Sequence, residues 1–199
     1  MEIREKIIEE AKAQFIKNGV RSVTMDDIAQ NLSISKRTIY ENFRDKNELL
    51  KSCLESMWNE QARRNEEIIK GAPNVIEAIF QLMQIAINAI RTYNPLFALD
   101  LKKYHPAVWK ETSLRNEEMG FNQMYRLVRK GINENLFRKN INVEIVTKIL
   151  QEQLKALSDE KAFPKDKYKL DVVFENMIIN FIRGIATAKG LEIIDSLTD

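Results

Sequence analysis

The chain has 199 residues, of which 44% are hydrophobic, so it is long enough to bury a core without a disulfide. Its 31 lysines and arginines nearly balance its 29 aspartates and glutamates, which excludes a polycation that coats nucleic acid and requires any DNA binding to be local. With one cysteine and no segment patterned as a signal peptide or membrane span, it is expected to be a cytoplasmic protein with no membrane association.

The pattern of the whole chain predicts an all-α fold, since glycine and proline are few and no alternating β-branched run is present. Apolar residues at helical spacing up to Phe15 predict a first helix that ends at Gly19. Thr24 with Asp27 forms a capping box that starts the second helix, and Ser35 caps the third.

Asp45 and Glu48 form a further capping box, which starts a longer fourth helix. Beyond it, single glycines, prolines and an asparagine turn predict helices near 46–70, 73–92, 95–104, 106–136, 143–158 and 168–188. The chain is therefore expected to have about nine helices. They would form a small three-helix domain over 1–46 and a larger helical bundle over 47–199.

The second and third predicted helices have the spacing of a helix-turn-helix, with residues 33–35 as the turn. Ile39 and Phe43 define the buried side of the third helix, which leaves Arg37 and Glu41 on the opposite side. Cations outnumber carboxylates on and beside this helix. The outward side is therefore one that a DNA major groove would meet, with Glu41 either accepting from cytosine N4 or turned aside.

The cationic and polar residues around this helix suit different contacts with a duplex. Arg37 is able to pair bidentately with O6 and N7 of guanine, an interaction worth about 1–3 kcal/mol of base discrimination. Lys36, Tyr40 and Lys46 are expected to contact phosphates, which sets register but reads no bases. Thr24 is expected to cap its own helix and also to face a phosphate.

Residues 7–50 resemble the N-terminal domain of the TetR family of transcriptional regulators. The matching residues are Phe15, Gly19, Thr24, Ile28, Ala29, Ser35, Thr38, Tyr40, Phe43, Lys46, Leu49 and Leu50. In two departures, Leu32-Ser33-Ile34 stands where Ala-Gly-Val is usual, and Arg37 stands where glycine is common. Because of the second departure, no base preference carries over from a relative.

The resemblance implies a DNA-binding repressor that a small-molecule effector releases from its operator. Residues 1–46 would bind DNA, and residues 47–199 would bind the effector and form the dimer. The resemblance assigns DNA contacts to Thr24, Ser35, Lys36, Thr38, Tyr40 and Lys46, to which the chemistry adds Arg37. Release would follow if the fourth helix tilted, because paired recognition helices must meet major grooves about 34–36 Å apart.

The segments 143–158 and 168–188 carry wide apolar faces, and the second is too apolar to be covered on one side alone. In the TetR family the last two long helices pair across a two-fold axis into a four-helix bundle. The resemblance therefore implies a homodimer and a palindromic double-stranded operator. The alternative is that both faces belong to the core of a monomer.

A ligand pocket is a further hypothesis, drawn from aromatic and methionine residues near the junction at Pro106 and on neighbouring helices. The candidates are Trp58, Met83, Phe97, Tyr104, His105, Trp109 and Met124. Residues of these types at helical spacing are more often part of a core, which is the alternative for each of them.

An enzyme is not expected. His105 and Cys53 are the only residues of their types, so a zinc site of cysteines and histidines cannot be assembled. The glycines are isolated, so no phosphate-binding loop is present, and no catalytic residue, metal or cofactor is predicted. The runner-up function is a helical ligand-binding or protein-interaction module that keeps the hairpin as a scaffold only, and a third is a DNA-binding protein without small-molecule control.

Overall fold

The computed structural model describes residues 2–92, 95–164 and 166–198, and these contain ten α-helices and no strand. The helices are α1 (Ile3–Asn18), α2 (Met25–Asn31), α3 (Lys36–Asn42), α4 (Lys46–Gly71), α5 (Val75–Thr92), α6 (Pro95–Tyr104), α7 (Pro106–Asn133), α8 (Val143–Ala156), α9 (Leu170–Ile185) and α10 (Ala188–Thr198). The predicted all-α fold is confirmed, with one helix more than expected.

Local hydrogen bonds explain where the first helices begin and end. Gly19 ends α1 with a φ of +81°, and its N–H donates to the Phe15 carbonyl at 3.0 Å. The Thr24 hydroxyl accepts from the Asp27 N–H at 3.1 Å, and the Asp27 carboxylate accepts from the Thr24 N–H at 2.8 Å. The predicted capping box of α2 is therefore confirmed, and its hydrogen bonds lower the pKa of Asp27.

The capping box predicted for α4 is formed only in part. Asp45 accepts from the Glu48 N–H at 2.9 Å, as predicted. The carboxylate of Glu48, however, accepts from the N–H of Arg44 at 2.9 Å. The Glu48 carboxylate therefore accepts from Arg44, one residue before Asp45, whose N–H the capping-box pattern indicates as the donor.

The helix predicted over 168–188 is present as α9, which ends three residues earlier at Ile185, and the α10 that follows it was not predicted. Ala186 pairs with Phe137 in an isolated antiparallel bridge, so the chain is extended there. Thr187 then starts α10, since its hydroxyl accepts from the Gly190 N–H at 3.2 Å. Its own N–H donates to the Leu136 carbonyl at 2.9 Å.

The helix predicted over 106–136 also ends early, at Asn133. Asn135 has a φ of +57°, a left-handed conformation that asparagine tolerates better than most residues. The N–H groups of Leu136 and Phe137 both donate to the Gly131 carbonyl, at 2.9 and 3.0 Å. These bonds turn the chain out of the helix.

The packing contacts divide the chain into two compact units. The first is Met1–Arg63 with Asn94–Asn116, and the second is Arg64–Tyr93 with Glu117–Asp199. The core of the first unit includes Ile7, Phe15, Ile28, Ile39, Phe43, Leu49, Leu50, Phe97 and Leu101. The core of the second includes Val75, Ile76, Ile79, Met83, Val128, Phe137, Leu150, Ile178, Ile182 and Ile194. The boundary at 46 and 47 therefore stays a prediction about function, and it does not coincide with these packing units.

In the second unit, α5 packs against α9 and α10. It buries a row of aliphatic residues, Val75, Ile76, Ile79, Met83 and Ile87, and exposes the polar stripe of Gln81, Gln84 and Asn88. Within the described residues, none of the helices combines the length and the apolar character that a membrane span needs.

Candidate nucleic-acid interface

A short turn joins α2 to α3 in the first unit. Ser33 takes a left-handed φ of +54° there, and the Ile34 N–H donates to the Ala29 carbonyl at 3.0 Å. Ser35 then caps α3, because its hydroxyl accepts from the Thr38 N–H at 3.0 Å. The turn and the cap together fix the direction of α3 against α2.

α3 has one buried and one exposed side. Ile39 is fully buried, and Phe43, which follows the helix, is 1% exposed in the first unit's core. Lys36, Arg37 and Tyr40 are exposed, Tyr40 by 46%. We call these three exposed side chains the recognition face. Their placement agrees with the division into two sides that the sequence indicates.

Three further predicted contacts are the hydroxyl residues at the starts of α2 and α3. Thr24 and Ser35 are exposed, and Thr38 is half-buried. The hydroxyls of Thr24 and Ser35 already cap α2 and α3, and the Thr38 hydroxyl lies 2.8 Å from that of Ser35. Their contact with DNA stays a prediction.

The cations of the recognition face have carboxylate partners. The Lys36 ammonium donates to Asp26 of α2 at 2.8 Å, which raises the pKa of Lys36. Arg37 Nε donates to Glu41 Oε1 at 2.8 Å, one turn further along α3. All four side chains are more than half exposed, at 56–87%. Because exposed pairs contribute little to stability, both cations are able to exchange partners.

Lys46 has a different environment from the recognition face. Its ammonium donates to the Val20 carbonyl at 2.5 Å and to the Val23 carbonyl. Burial lowers the pKa of Lys46, against the opposing charges of Asp100 and Asp27. The ammonium thus closes the loop between α1 and α2, and contact with a phosphate stays a prediction.

Side chains of α6 and its junction with α7 hold the same loop, which the sequence analysis missed. Asp100 accepts from the Arg21 N–H at 2.8 Å, and the Arg21 guanidinium lies 5.0 Å from the centre of the Tyr104 ring. His105 Nδ1 is hydrogen-bonded to Asn47 at the start of α4. Burial lowers the pKa of His105, the charge of Lys46 acts in the same direction, and the charge of Asp100 opposes both.

Of the seven residues predicted to line a pocket, five pack with one or the other of the two hydrophobic cores. Trp58, Phe97 and Trp109 pack with the core of the first unit, and Met83 and Met124 with that of the second. The other two are the side chains just described at the end of α6. Core packing thus accounts for five of the seven, and a ligand pocket stays a prediction.

One side of α8 and α9 in the second unit is apolar and exposed. Ile145 and Ile149 are 56% and 52% exposed, and Val172 is 45% exposed. An open groove beside them is lined mainly by apolar residues, among them Val146, Phe163, Val173, Met177 and Phe181, together with Gln153, Asn176 and Asn180. A Cβ added at Gly184 would meet no atom within 4 Å. We call this surface the α8–α9 face.

The N-terminal part of the chain matches a known family. Residues 7–53 match the profile of the bacterial regulatory proteins of the tetR family. The uncharacterized HTH-type transcriptional regulator YvaF of Bacillus subtilis (strain 168) is 30% identical over 97 residues, about half of each protein at 48% and 51%. The HTH-type transcriptional repressor KstR2 of Mycobacterium tuberculosis is 22% identical over 152 residues, which cover 75% of this chain and 76% of KstR2.

Solved structures share the fold over most of the chain. A transcriptional regulator from Cytophaga hutchinsonii superposes with a TM-score of 0.79 at 19% identity, covering 92% of this chain and 98% of that one. The ketosteroid transcriptional regulator KstR2 superposes with a TM-score of 0.51 at 20% identity, covering 94% and 96%. At these identities the likeness establishes the fold.

A short basic helix held outward over a buried apolar side, and preceded by a capped partner helix, defines a helix-turn-helix protein. With the profile match over residues 7–53 and relatives described as HTH-type regulators, the N-terminal part of the chain is similar to the bacterial regulatory proteins of the tetR family. The predicted resemblance is confirmed.

Proposed function

We propose that this protein is a cytoplasmic, sequence-specific DNA-binding repressor that a small-molecule effector releases from its operator. The recognition face carries the proposal, because it is exposed while Ile39 and Phe43 on the other side of α3 are buried. A major groove about 12 Å wide admits a helix of this kind. The repressor KstR2 among the relatives favours negative regulation.

The recognition face and the polar residues around it supply two kinds of contact in this proposal. Arg37 reads a base edge, because its planar fork matches two neighbouring acceptors. Phosphate contacts, which set register and salt dependence, come from Thr24, Ser35, Lys36, Thr38, Tyr40 and Lys46. Residues 1–46 carry the DNA-binding role, and residues 47–199 carry effector binding and dimerisation.

Binding of a labelled duplex from upstream of the protein's own gene tests the proposal by fluorescence anisotropy. The triple variant Lys36→Ala, Arg37→Ala, Tyr40→Ala is expected to lose about 100-fold or more in affinity, since one base contact and phosphate contacts disappear. A triple variant at Lys167, Tyr168 and Lys169 removes two cations and a tyrosine exposed to the same 46%, and it serves as the matched control. Equal affinities for the two triple variants would reject the recognition face as the docking surface.

A palindromic operator requires two copies of the chain, and the α8–α9 face supports a homodimer through these helices. Its isoleucines are about half exposed in a single chain, at 56% and 52%, so a partner would remove apolar surface from water. The space beside Gly184 favours the close approach of a second helix. The proposed dimer is isologous, with the same face used by both copies.

Effector control is proposed from the resemblance to the TetR family. The candidate lining residues remain Trp58, Met83, Phe97, Tyr104, His105, Trp109 and Met124. The two recognition helices of a dimer would have one spacing that fits the operator and another that does not. An effector that binds the dimer more tightly at the second spacing would shift the dimer toward it. Loss of duplex binding on adding a small molecule, with the dimer intact, is the expected result.

A further inference from the structure

We propose that Glu41 is a positioning residue that orients Arg37 for base recognition, so that each operator half-site contains a guanine read by this pair. The inference rests on the proposed DNA-binding function, which it deepens. It gives a role to a carboxylate on a surface that has to meet a polyanion.

The geometry of the pair carries the inference. Arg37 donates through Nε to Glu41 Oε1 at 2.8 Å, and both residues belong to α3. A guanidinium has five N–H donors in one plane, so a bond at Nε leaves the N–H groups of both terminal nitrogens for a second partner. The Arg37 side chain is 87% exposed, so that partner is able to reach it from outside.

Guanine is the base that fits this remaining pair of donors. Its major-groove edge presents two acceptors side by side, N7 and O6. Adenine places an amino donor next to N7, and thymine presents one acceptor beside a methyl group. A guanidinium held by Glu41 thus discriminates for guanine and against the other bases.

Glu41 has two opposite effects on DNA binding. By holding the guanidinium it reduces the rotamer entropy that Arg37 loses when it binds a base, which favours the correct site. By its negative charge it repels phosphates, which weakens binding to every sequence. Removing the carboxylate is therefore expected to lower base discrimination and to raise affinity for unrelated DNA.

The neighbouring pair of Asp26 and Lys36 provides a matched control within the same surface. Its distance is also 2.8 Å and its two side chains are similarly exposed, at 58% and 62%. Lysine is a point charge without a planar fork, so Asp26 has no donor plane to orient. Asp26→Asn is expected to raise affinity for all duplexes alike and to leave base preference unchanged.

The test combines selection from a random duplex pool with anisotropy on the selected duplex and on the same duplex with the guanine pair changed to adenine. The wild-type protein is expected to prefer guanine at one position of each half-site by roughly 5- to 150-fold. Arg37→Ala loses this preference and so identifies the position. Glu41→Ala is expected to reduce it by about fivefold, an estimate within the range for a bidentate contact.

Glu41→Gln separates positioning from charge, because it removes the same charge as Glu41→Ala and keeps an oxygen that accepts from Nε. It is expected to retain more of the guanine preference than Glu41→Ala. Both substitutions lie on an exposed helix surface and favour helix, so unfolding curves are expected to match the wild type.

Three results overturn the inference. The first is a guanine preference that is unchanged in Glu41→Ala. The second is an equal loss of guanine preference in Glu41→Ala and Glu41→Gln. The third is a selected site in which Arg37→Ala changes the preference for no guanine. In each of these the wild type still selects a site, so the proposed function stands. If the wild type selects no site, the proposed function fails first and the inference falls with it.

Discussion

Ser33 and Asn135 are the two described non-glycine residues with a positive φ, at +54° and +57°. A left-handed backbone costs an L-residue roughly 1–2 kcal/mol, a cost that glycine avoids. At Ser33 the sequence already departs from the glycine that is usual in the family. The position of the turn was therefore foreseeable, although the left-handed conformation of Ser33 was not predicted.

Ser33→Gly is expected to raise the free energy of unfolding by about 1 kcal/mol, because it relieves this backbone strain at some cost in unfolded-state entropy. Urea denaturation measures the change. Ser33→Ala, which keeps the Cβ, is the control and is expected to give no gain. A Gly variant no more stable than the Ala variant would contradict the assignment of strain.

Lys36 and Lys46 are expected to contribute differently to stability, because their ammonium groups have different hydrogen-bond partners. Lys46→Ala is expected to lower the free energy of unfolding by about 1–3 kcal/mol, because its ammonium donates to two loop carbonyls. Lys36→Ala is expected to leave stability nearly unchanged, since its pair with Asp26 is exposed. Thermal unfolding of both variants makes the comparison, and equal melting temperatures would be inconsistent with it.

At the residue scale, the sequence predicted which side chains face outward and not what they bind. Alternation of Ile39 and Phe43 with charged residues is a local pattern, so the exposed side of α3 was foreseeable. Lys36 pairs with a carboxylate 10 positions away, and Lys46 bonds carbonyls 26 and 23 positions away. Such contacts depend on the tertiary fold, which periodicity does not encode.

At the element scale, helix boundaries were foreseeable where the sequence carries its own signal. Gly19 and the Thr24 box are local signals, and the structure has both. The break between α9 and α10 depends instead on Ala186 pairing with Phe137, a residue distant in sequence. The break falls at Ala186 and Thr187, neither of which is a proline or a glycine. The sequence therefore carries no local signal that ends the helix there.

Gly190→Ala is expected to destabilise the protein by about 1–3 kcal/mol, because a Cβ there would overlap the Leu136 carbonyl oxygen and the backbone would have to shift. Gly120→Ala in α7 is the control, since a Cβ at that position meets nothing within 4 Å. It is expected to stabilise by about 0.5–1 kcal/mol through helix propensity. Chemical denaturation that ranked the two substitutions in the opposite order would be incompatible with the packing of α10.

At the scale of the whole molecule, the sequence indicated two parts of the chain, but it did not indicate which helices pack together in each part. α6 and the first part of α7 belong with the N-terminal helices in one compact unit, although they follow α5 in the chain. Asp100 and Arg21 join segments 79 positions apart. Chain order alone therefore could not identify this unit.

Ile149→Glu is expected to convert the proposed homodimer to monomers, because it places a carboxylate on an apolar face that a partner would cover. Analytical ultracentrifugation measures the mass in solution. Leu114→Glu is the control, since Leu114 is exposed to 59%, compared with 52% for Ile149, and lies on α7. A wild type that sediments as a monomer, or an Ile149→Glu variant that stays dimeric, would exclude the α8–α9 face as the interface.

The central claim is that the recognition face of α3 enters duplex DNA. A photoreactive benzoylphenylalanine placed at Tyr40 tests it most directly, with the same residue at Leu114, exposed to 59%, as the control. Illumination of each protein with the selected duplex is expected to yield a covalent DNA adduct from position 40 and none from position 114. No adduct at position 40, under conditions in which the duplex is bound, would contradict the account.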